Sequence, residues 1–238
     1  MDKDDLIVRF AGEGGQGVVT SAEGLAQAAT QTGYNAQTFA TFPSQILGGS
    51  TWTQTRISVN PVLSTGDELD VLVCFNEQAY FNHSDSVSND GVIVYNSGEF
   101  ELPDQVNAVG IDFDELAKST GNKRAANMVV IGALAELVAM KQDILDEFVT
   151  KKFTRGRPND EEIVESNIKA MGLGRTEVKQ RGISIGQLNP PQKPDYEQVL
   201  MNGNLAISLG AMHAGVDFFA GYPISPATPI LLFMEKSG

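Results

Sequence analysis

The sequence predicts an α/β fold: a mainly parallel or mixed sheet with helices gathered toward its C-terminal part, then a linker and one further αβ unit. Three observations carry that expectation. Short β-branched runs alternate with amphipathic stretches as far as Gly121, and from there to Gly174 the periodicity is helical. A glycine-rich turn separates the first apolar run from the first amphipathic stretch. All periodicity then lapses over Ile183–Asp195, where Gly186, Pro190, Pro191 and Pro194 cluster.

Taken in order, Leu6–Ala11, with Ile7, Val8 and Phe10, reads as a short buried strand. Val18–Gln31 is rich in Ala and Leu and reads as an amphipathic helix, with Gly33 placed to terminate it. Asn35–Thr41 and Thr53–Val59 read as a second and third strand, the latter bounded by Asn60 and Pro61. Leu69–Phe75 and Gly91–Tyr95 are compact runs typical of central strands covered on both faces, and Ala108–Ile111 is a short further strand. From Lys123 the spacing of Met128, Ile131, Leu134, Ala135 and Val138 turns helical, up to about Met140. Ile144–Phe153 and Asp160–Met171 read as two more helices, the second capped at Asn159. Beyond the linker, Tyr196–Ala214 reads as a helix, Val216–Ala220 as a strand and Gly221–Pro229 as a proline-rich turn. These features set expected boundaries of 1–182 for the first domain, 183–195 for the linker and 196–238 for the last segment. About forty residues after the linker are too few to close a core, so truncation, or completion by residues from elsewhere, is expected there.

The chain has 238 residues, 42% hydrophobic and 20% charged, which suits one medium domain plus a fragment of a second. With 30 acidic against 17 basic residues the net charge is −13, a surface that repels phosphate backbones and argues against nucleic acid. The single cysteine, Cys74, excludes an internal disulfide and any four-cysteine iron–sulfur or zinc site. It sits inside the apolar run Val71–Phe75 and reads as a buried core thiol. The acidic N-terminus is no secretory signal and no apolar run reaches bilayer length, so a cytoplasmic protein without membrane contact is expected. His83 and His213 lack a second histidine or cysteine at ligand spacing, so no metal is expected on this chain. Asp112, Asp114 and Glu115 form an acidic turn that suits the start of a helix. Lys151, Lys152, Arg155 and Arg157 form a basic cluster, read either as a solvated helix end or as a contact for an acidic partner or coenzyme A phosphates.

Gly12, Gly14 and Gly17, with Glu13, Gly15 and Gln16 between them, satisfy G-x-G-x-x-G after a strand and before a helix, a Rossmann-like context. Glycines there let the chain turn tightly and present backbone N–H groups to an anion at the helix N-terminus. An NAD site wants an acidic residue on the ribose some ~20 residues further on. Here no Asp or Glu lies between Glu23 and Asp67, and the first basic residue after Arg9 is Arg56. Glu13 also opposes a pyrophosphate, so an ordinary NAD(P) site is not expected. Either a tight turn or an anion receiver remains open on the local pattern. Phe42–Arg56 is a second constellation, holding Ser44, Gln45, Gly48, Gly49, Ser50, Thr51, Trp52, Thr53, Gln54 and Arg56 between two strands. It reads either as a mobile binding loop or as a solvated connection.

These two segments together resemble the gamma domain of 2-oxoacid:ferredoxin oxidoreductases, in which a G-x-G-G-Q-G turn precedes a GG-containing stretch ending in Arg. The resemblance continues through LDVLVCFNEQA, GVIVYNS and AANMVVIGALAEL and covers most of Leu6–Gly174. Asn202–Pro229 is similar to the opening of the alpha subunit's pyrimidine-type domain, where Gly221-Tyr222-Pro223-Ile224-Ser225-Pro226 stands for the family's G-Y-P-I-T-P. The order of the two modules most resembles gamma–alpha fused chains of the 2-oxoglutarate type. The resemblance implies a thiamine-diphosphate enzyme that decarboxylates a 2-oxoacid oxidatively, passes electrons through iron–sulfur clusters to ferredoxin and gives the acyl group to coenzyme A. It implies that thiamine diphosphate, Mg²⁺ and the clusters sit on partner subunits, chiefly a beta subunit, with no cofactor bound by this chain alone. A homo- or hetero-oligomer that is inactive without its partner follows. By position, Ser225 stands where the family has a threonine hydroxyl near the substrate carboxylate, and Tyr222 and Pro223 shape that turn. Gly12–Gly17 is a candidate receiver for an anionic group of coenzyme A, with Arg56 as its partner cation. The alternatives are a stand-alone nucleotide- or coenzyme A-binding module and an oligomerisation scaffold.

Overall fold

The computed structural model describes residues 2–41, 49–191, 195 and 199–237. The chain divides into two compact units, Met1–Gln198 and Val199–Gly238. In the first, β1 (Asp2–Lys3), β2 (Asp5–Glu13), α1 (Val18–Gln31), β3 (Asn35–Ala40), β4 (Ser50–Ser58) and β5 (Leu69–Cys74) follow in order. Then come α2 (Glu77–His83), β6 (Val87–Asn96), β7 (Ala108–Ile111), α3 (Phe113–Ser119), α4 (Ala126–Leu137), α5 (Gln142–Phe153), α6 (Asp160–Arg181) and β8 (Gln187–Leu188).

The main sheet has six strands in the order β3-β4-β2-β5-β6-β7. β2, β5, β6 and β7 run parallel, while β4 runs antiparallel to both β2 and β3. The expected α/β class with a mainly parallel, mixed sheet is therefore the observed one. Along β2 the alternation is direct. Leu6, Val8 and Phe10 enter the large core with Val18, Leu25, Val92, Val109, Val130 and Leu134. Ile7 and Ala11 face a smaller cluster with Leu72, Cys74, Ile93 and Tyr95. Each fully buried Leu or Phe in this core contributes about 1.5–3 kcal/mol relative to exposure.

Local signals explain the element ends. Gly33, at φ 97°, closes α1 with Tyr34 N–H bonded to the Ala29 carbonyl and Gly33 N–H to that of Thr30, the bond pair of a Schellman motif. The Asp112 carboxylate accepts the Glu115 N–H at 2.8 Å and caps α3. α6 starts at Asp160 as expected, but the Asn159 side chain makes no capping bond. The Asp160 carboxylate instead fastens the turn before the helix, accepting the N–H groups of Arg155 and Arg157. α6 also runs on to Arg181, because its second half buries Gly174 and Val178 against α4.

Elsewhere the structure departs from the sequence reading. Ser50–Trp52 is strand, not loop, extending the expected third strand, since it pairs with β2 as far as Glu13. Glu77–His83, to which the sequence reading assigned no element, forms a short helix started by Asn76 accepting the Ala79 N–H. Part of the expected linker is structural: β8 pairs with β1, and Ile185 and Leu188 are buried. In the second unit α7 (Gly203–His213) is shorter than expected, and α8 (Thr228–Ser237) follows the proline turn. Val216–Ala220 pairs with no strand among the described residues, and an isolated strand leaves its backbone bonds and both faces to solvent.

Candidate functional site

The glycine loop leaves the carboxyl end of β2 and enters α1. Gly17 occupies the N-cap position at φ 91° and offers no side-chain cap, so the first amides of α1 are free for another acceptor. Two close approaches require glycine. A Cβ on Gly17 would lie 2.1 Å from Asn127 Oδ1, and one on Gly12 would lie 2.9 Å from Phe75 Cβ. Gly15, at φ 98°, stands at the open tip with exposed Gly14, where an added Cβ would meet no non-neighbouring heavy atom within 4 Å. Gln16 folds back over the turn: its Oε1 accepts the Glu13 N–H at 2.7 Å and Asn76 Nδ2–H at 3.1 Å. A small hollow beside the loop is lined by Gln16, Phe75, Asn96, Glu99, Phe113 and Asp114. Its charged groups are acidic, so the loop's surroundings offer amides and backbone donors, not cations.

β4 begins at the same end of the sheet, since Ser50 pairs with Glu13. Thr41 closes the base of the β3–β4 connection: its N–H bonds the Trp52 carbonyl at 2.9 Å and its carbonyl accepts Thr51 Oγ1–H at 2.7 Å. Ser44, Gln45 and Gly48 lie outside the described residues. Thr41 and Ser50 thus lie at the carboxyl edge, where open α/β sheets bind ligands.

Arg56 does not join this site. It pairs in register with Ile7, five residues before Gly12 along β2, or about 17 Å at strand spacing. There it binds both oxygens of Asp5, at 2.8 and 3.1 Å, and the Ser64 hydroxyl at 3.0 Å. That bond holds the Asp5 carboxyl below, and the Arg56 guanidinium above, its ordinary range. The correction follows from the antiparallel register of β4, which carries its later residues away from the glycine loop.

A centre that the sequence did not flag lies on the sheet face opposite the large core. Arg9 stacks 4.6 Å from the Trp52 ring centroid and donates to Gln54 Oε1 at 2.7 and 3.0 Å. Its Nη1 also meets His83 Nδ1 at 3.4 Å and the Ser86 hydroxyl at 3.3 Å. Burial, and then the Arg9 charge, push the His83 pKa down, and His83 Nε2 is buried without a hydrogen-bond partner among the described residues. Only the alternation of Arg9 with Val8 and Phe10 pointed to this face. His213 ends α7, exposed. Cys74 is fully buried, and burial raises its thiol pKa to about 12.

Tyr222, Pro223 and Ser225 lie in the second unit, on an exposed turn. Thr228 N–H bonds the Ile224 carbonyl at 2.9 Å, and Asn204 Nδ2–H bonds the Pro226 carbonyl at 2.8 Å, which ties the turn to α7. Among the described residues no group of His, Cys, Asp and Glu side chains is arranged to hold a metal ion, and no helix is long and apolar enough to cross a membrane.

The profile of the family described as pyruvate ferredoxin/flavodoxin oxidoreductase matches residues 7–177. The chain belongs to this family. It is 26% identical, over 98% of its length, to the 2-oxoglutarate oxidoreductase subunit KorA of Mycobacterium tuberculosis, and spans 41% of that relative. The pyruvate synthase subunit PorC of Methanothermobacter thermautotrophicus is 30% identical over 75% of this chain and 98% of its own. In structure, the 2-oxoglutarate:ferredoxin oxidoreductase of Magnetococcus marinus, described with 2-oxoglutarate, coenzyme A and succinyl-CoA bound, aligns with a TM-score of 0.86 and 34% identity. That alignment covers 99% of this chain and 41% of the other. The family chain therefore spans less than half of the relatives it matches end to end.

Proposed function

We propose that this chain supplies the gamma module and the opening of the alpha module of a multi-subunit 2-oxoacid:ferredoxin oxidoreductase of the 2-oxoglutarate type. The observation that carries this reading is the end-to-end likeness to the Magnetococcus enzyme across both units. The reaction joins a 2-oxoacid and coenzyme A to give acyl-CoA, CO₂ and a proton, with two electrons leaving singly to ferredoxin. Thiamine diphosphate, when bound, supplies the electron sink for decarboxylation. A chain with one buried cysteine cannot ligate a four-cysteine cluster, which supports assigning clusters, Mg²⁺ and thiamine diphosphate to other subunits such as a beta subunit.

This chain's own residues would bind and orient. The Ser225 hydroxyl donates to the 2-oxoacid carboxylate, on a turn whose course Tyr222 and Pro223 set. The glycine loop contacts coenzyme A through backbone N–H groups and the Gln16 amide. With Glu13, Glu99 and Asp114 close by, the uncharged amide arm suits it better than phosphate, and Arg56 takes no part.

The test is coenzyme A-dependent reduction of a viologen dye by the assembled complex, prepared without oxygen, across several 2-oxoacids with and without thiamine diphosphate. Thiamine-dependent reduction with 2-oxoglutarate preferred is the expected outcome. Ser225→Ala should raise KM for the acid about tenfold, the loss of one bond to a charged group. No turnover of any 2-oxoacid by a cluster-loaded complex would overturn the reading.

A further inference from the structure

An open pocket of about 610 Å³ lies in the first unit between the 120–125 loop, the α5–α6 turn and the first half of α6. In a chain of net charge −13, four of its 17 basic residues line this one hollow: Arg124, Arg155, Arg157 and Lys169. They come from three separate segments, so sequence proximity does not account for the convergence. Glu162 and Glu165 are the acidic residues on its wall, and they leave the cations in excess.

The frame of the pocket is fixed by groups that pair Arg157 with Asp160 and leave Arg124, Arg155 and Lys169 without a carboxylate partner among the described residues. Asp160, only 6% exposed, binds the N–H groups of Arg155 and Arg157 and the Arg157 Nε, holding the turn. Asn122 Nδ2–H bonds the Ser166 hydroxyl at 3.1 Å and fastens the 120–125 loop to α6. The Arg155 side chain is engaged only through Nε, toward the Lys152 carbonyl at 3.4 Å. Among the described residues Arg124 and Lys169 pair with no carboxylate. Phe153 and Ile163 give the hollow an apolar patch.

We propose that this pocket is a binding site for the phosphate-bearing end of an adenine nucleotide. Planar guanidinium forks with unengaged N–H groups match phosphoryl oxygens, and an aromatic patch beside them offers a surface for a base. The volume suits a ligand larger than a 2-oxoacid. Position adds to the argument: the segment that gives Arg124 to this pocket goes on to give Ala126 to the small hollow and Asn127 to the glycine turn. The choice of coenzyme A as the nucleotide rests on the function proposed above, whereas the cradle rests on the pocket alone.

The experiment is calorimetric titration of the assembled complex with coenzyme A, dephospho-coenzyme A, pantetheine and ADP. It compares the native protein, Arg124→Ala/Lys169→Ala, and Lys179→Ala, an exposed lysine ten residues further along α6, about 15 Å away. The double variant should weaken a nucleotide about tenfold or more, leave pantetheine unchanged and keep the native melting temperature, with Lys179→Ala silent. Weakened coenzyme A identifies an acyl-carrier site, and weakened ADP with unchanged coenzyme A a separate nucleotide site. Unchanged affinity for every nucleotide overturns the proposal, as does a variant whose only loss is association with another subunit.

Discussion

Gly132 and Gly174 should each be intolerant of a single added methyl group, although both lie inside helices. A Cβ on Gly132 would stand 2.0 Å from the Met171 carbonyl oxygen, and one on Gly174 would stand 2.0 Å from that of Val129. Ordinary contact begins near 3.4 Å, so the backbones of α4 and α6 are about 1.4 Å too close to admit it. The obstacle is main chain on both sides, so no side chain can swing away. The helices must part, loosening Val129, Val130, Ala133, Ala170 and Met171, all fully buried. Overpacking of this kind costs about 1–3 kcal/mol, and backbone contact places it at the upper end. Replacing a helical glycine by alanine returns about 1 kcal/mol, leaving a net loss near 2 kcal/mol. For a domain of this size that lowers Tm by about 4–8 °C. Gly172 is the internal control: it lies in the same helix, and a Cβ there meets nothing within 4 Å. Gly172→Ala should therefore stabilise by roughly 0.5–1 kcal/mol. Urea unfolding followed by the fluorescence of Trp52, the single tryptophan, reports on this unit. Gly132→Ala/Gly174→Ala should cost less than the sum of its parts, since one displacement serves both. A Gly132→Ala chain as stable as the native one, beside a normal Gly172→Ala, would refute the reasoning.

Two further outcomes follow from buried titratable groups. The folded state holds the His83 pKa below its usual value, so the unfolded chain binds the proton more readily. Stability should be full above the ordinary histidine range, about pH 6.5, and decline as pH falls through it, a slope that His83→Gln should flatten in urea midpoints. Cys74, with its thiol raised to about 12, should resist alkylation near pH 8 until the sheet opens; reaction as fast as that of free cysteine would contradict its burial.

How much of this was readable in advance depends on the range of the interactions concerned. α1 was legible to the residue, because its apolar stripe and Gly33 are local signals. The strands at Leu69 and Ala108 were equally plain from their β-branched runs, whereas the one expected at Gly91 begins earlier, at Val87. α2 escaped because EQAYFNH has too few turns to show a period, and its start depends on the Asn76 side chain. The placement of Arg56 required the register of β4 on β2, which no window of sequence contains. Half of the basic pocket was visible as the Lys151–Arg157 cluster, whereas Arg124 and Lys169 enter it only through the packing of α6 against the 120–125 loop. The glycine turn showed its shape but not its polarity, because Glu99 and Asp114 arrive from distant segments.

The pairing of β1 with β8 has a consequence for how such a module can be rearranged. Asp2 and Lys3 lie beside Gln187 and Leu188, Asn189 N–H bonds the Lys3 carbonyl at 2.8 Å, and Asn189 Nδ2–H bonds Asp4 at 2.8 Å. The way into the first unit and the way out of it are therefore neighbours on one edge. A domain with adjoining ends can be detached, fused to another or circularly permuted without rerouting its interior. The same seam cannot close during synthesis until residue 189 has left the ribosome, so the N-terminal strand waits for nearly the whole unit.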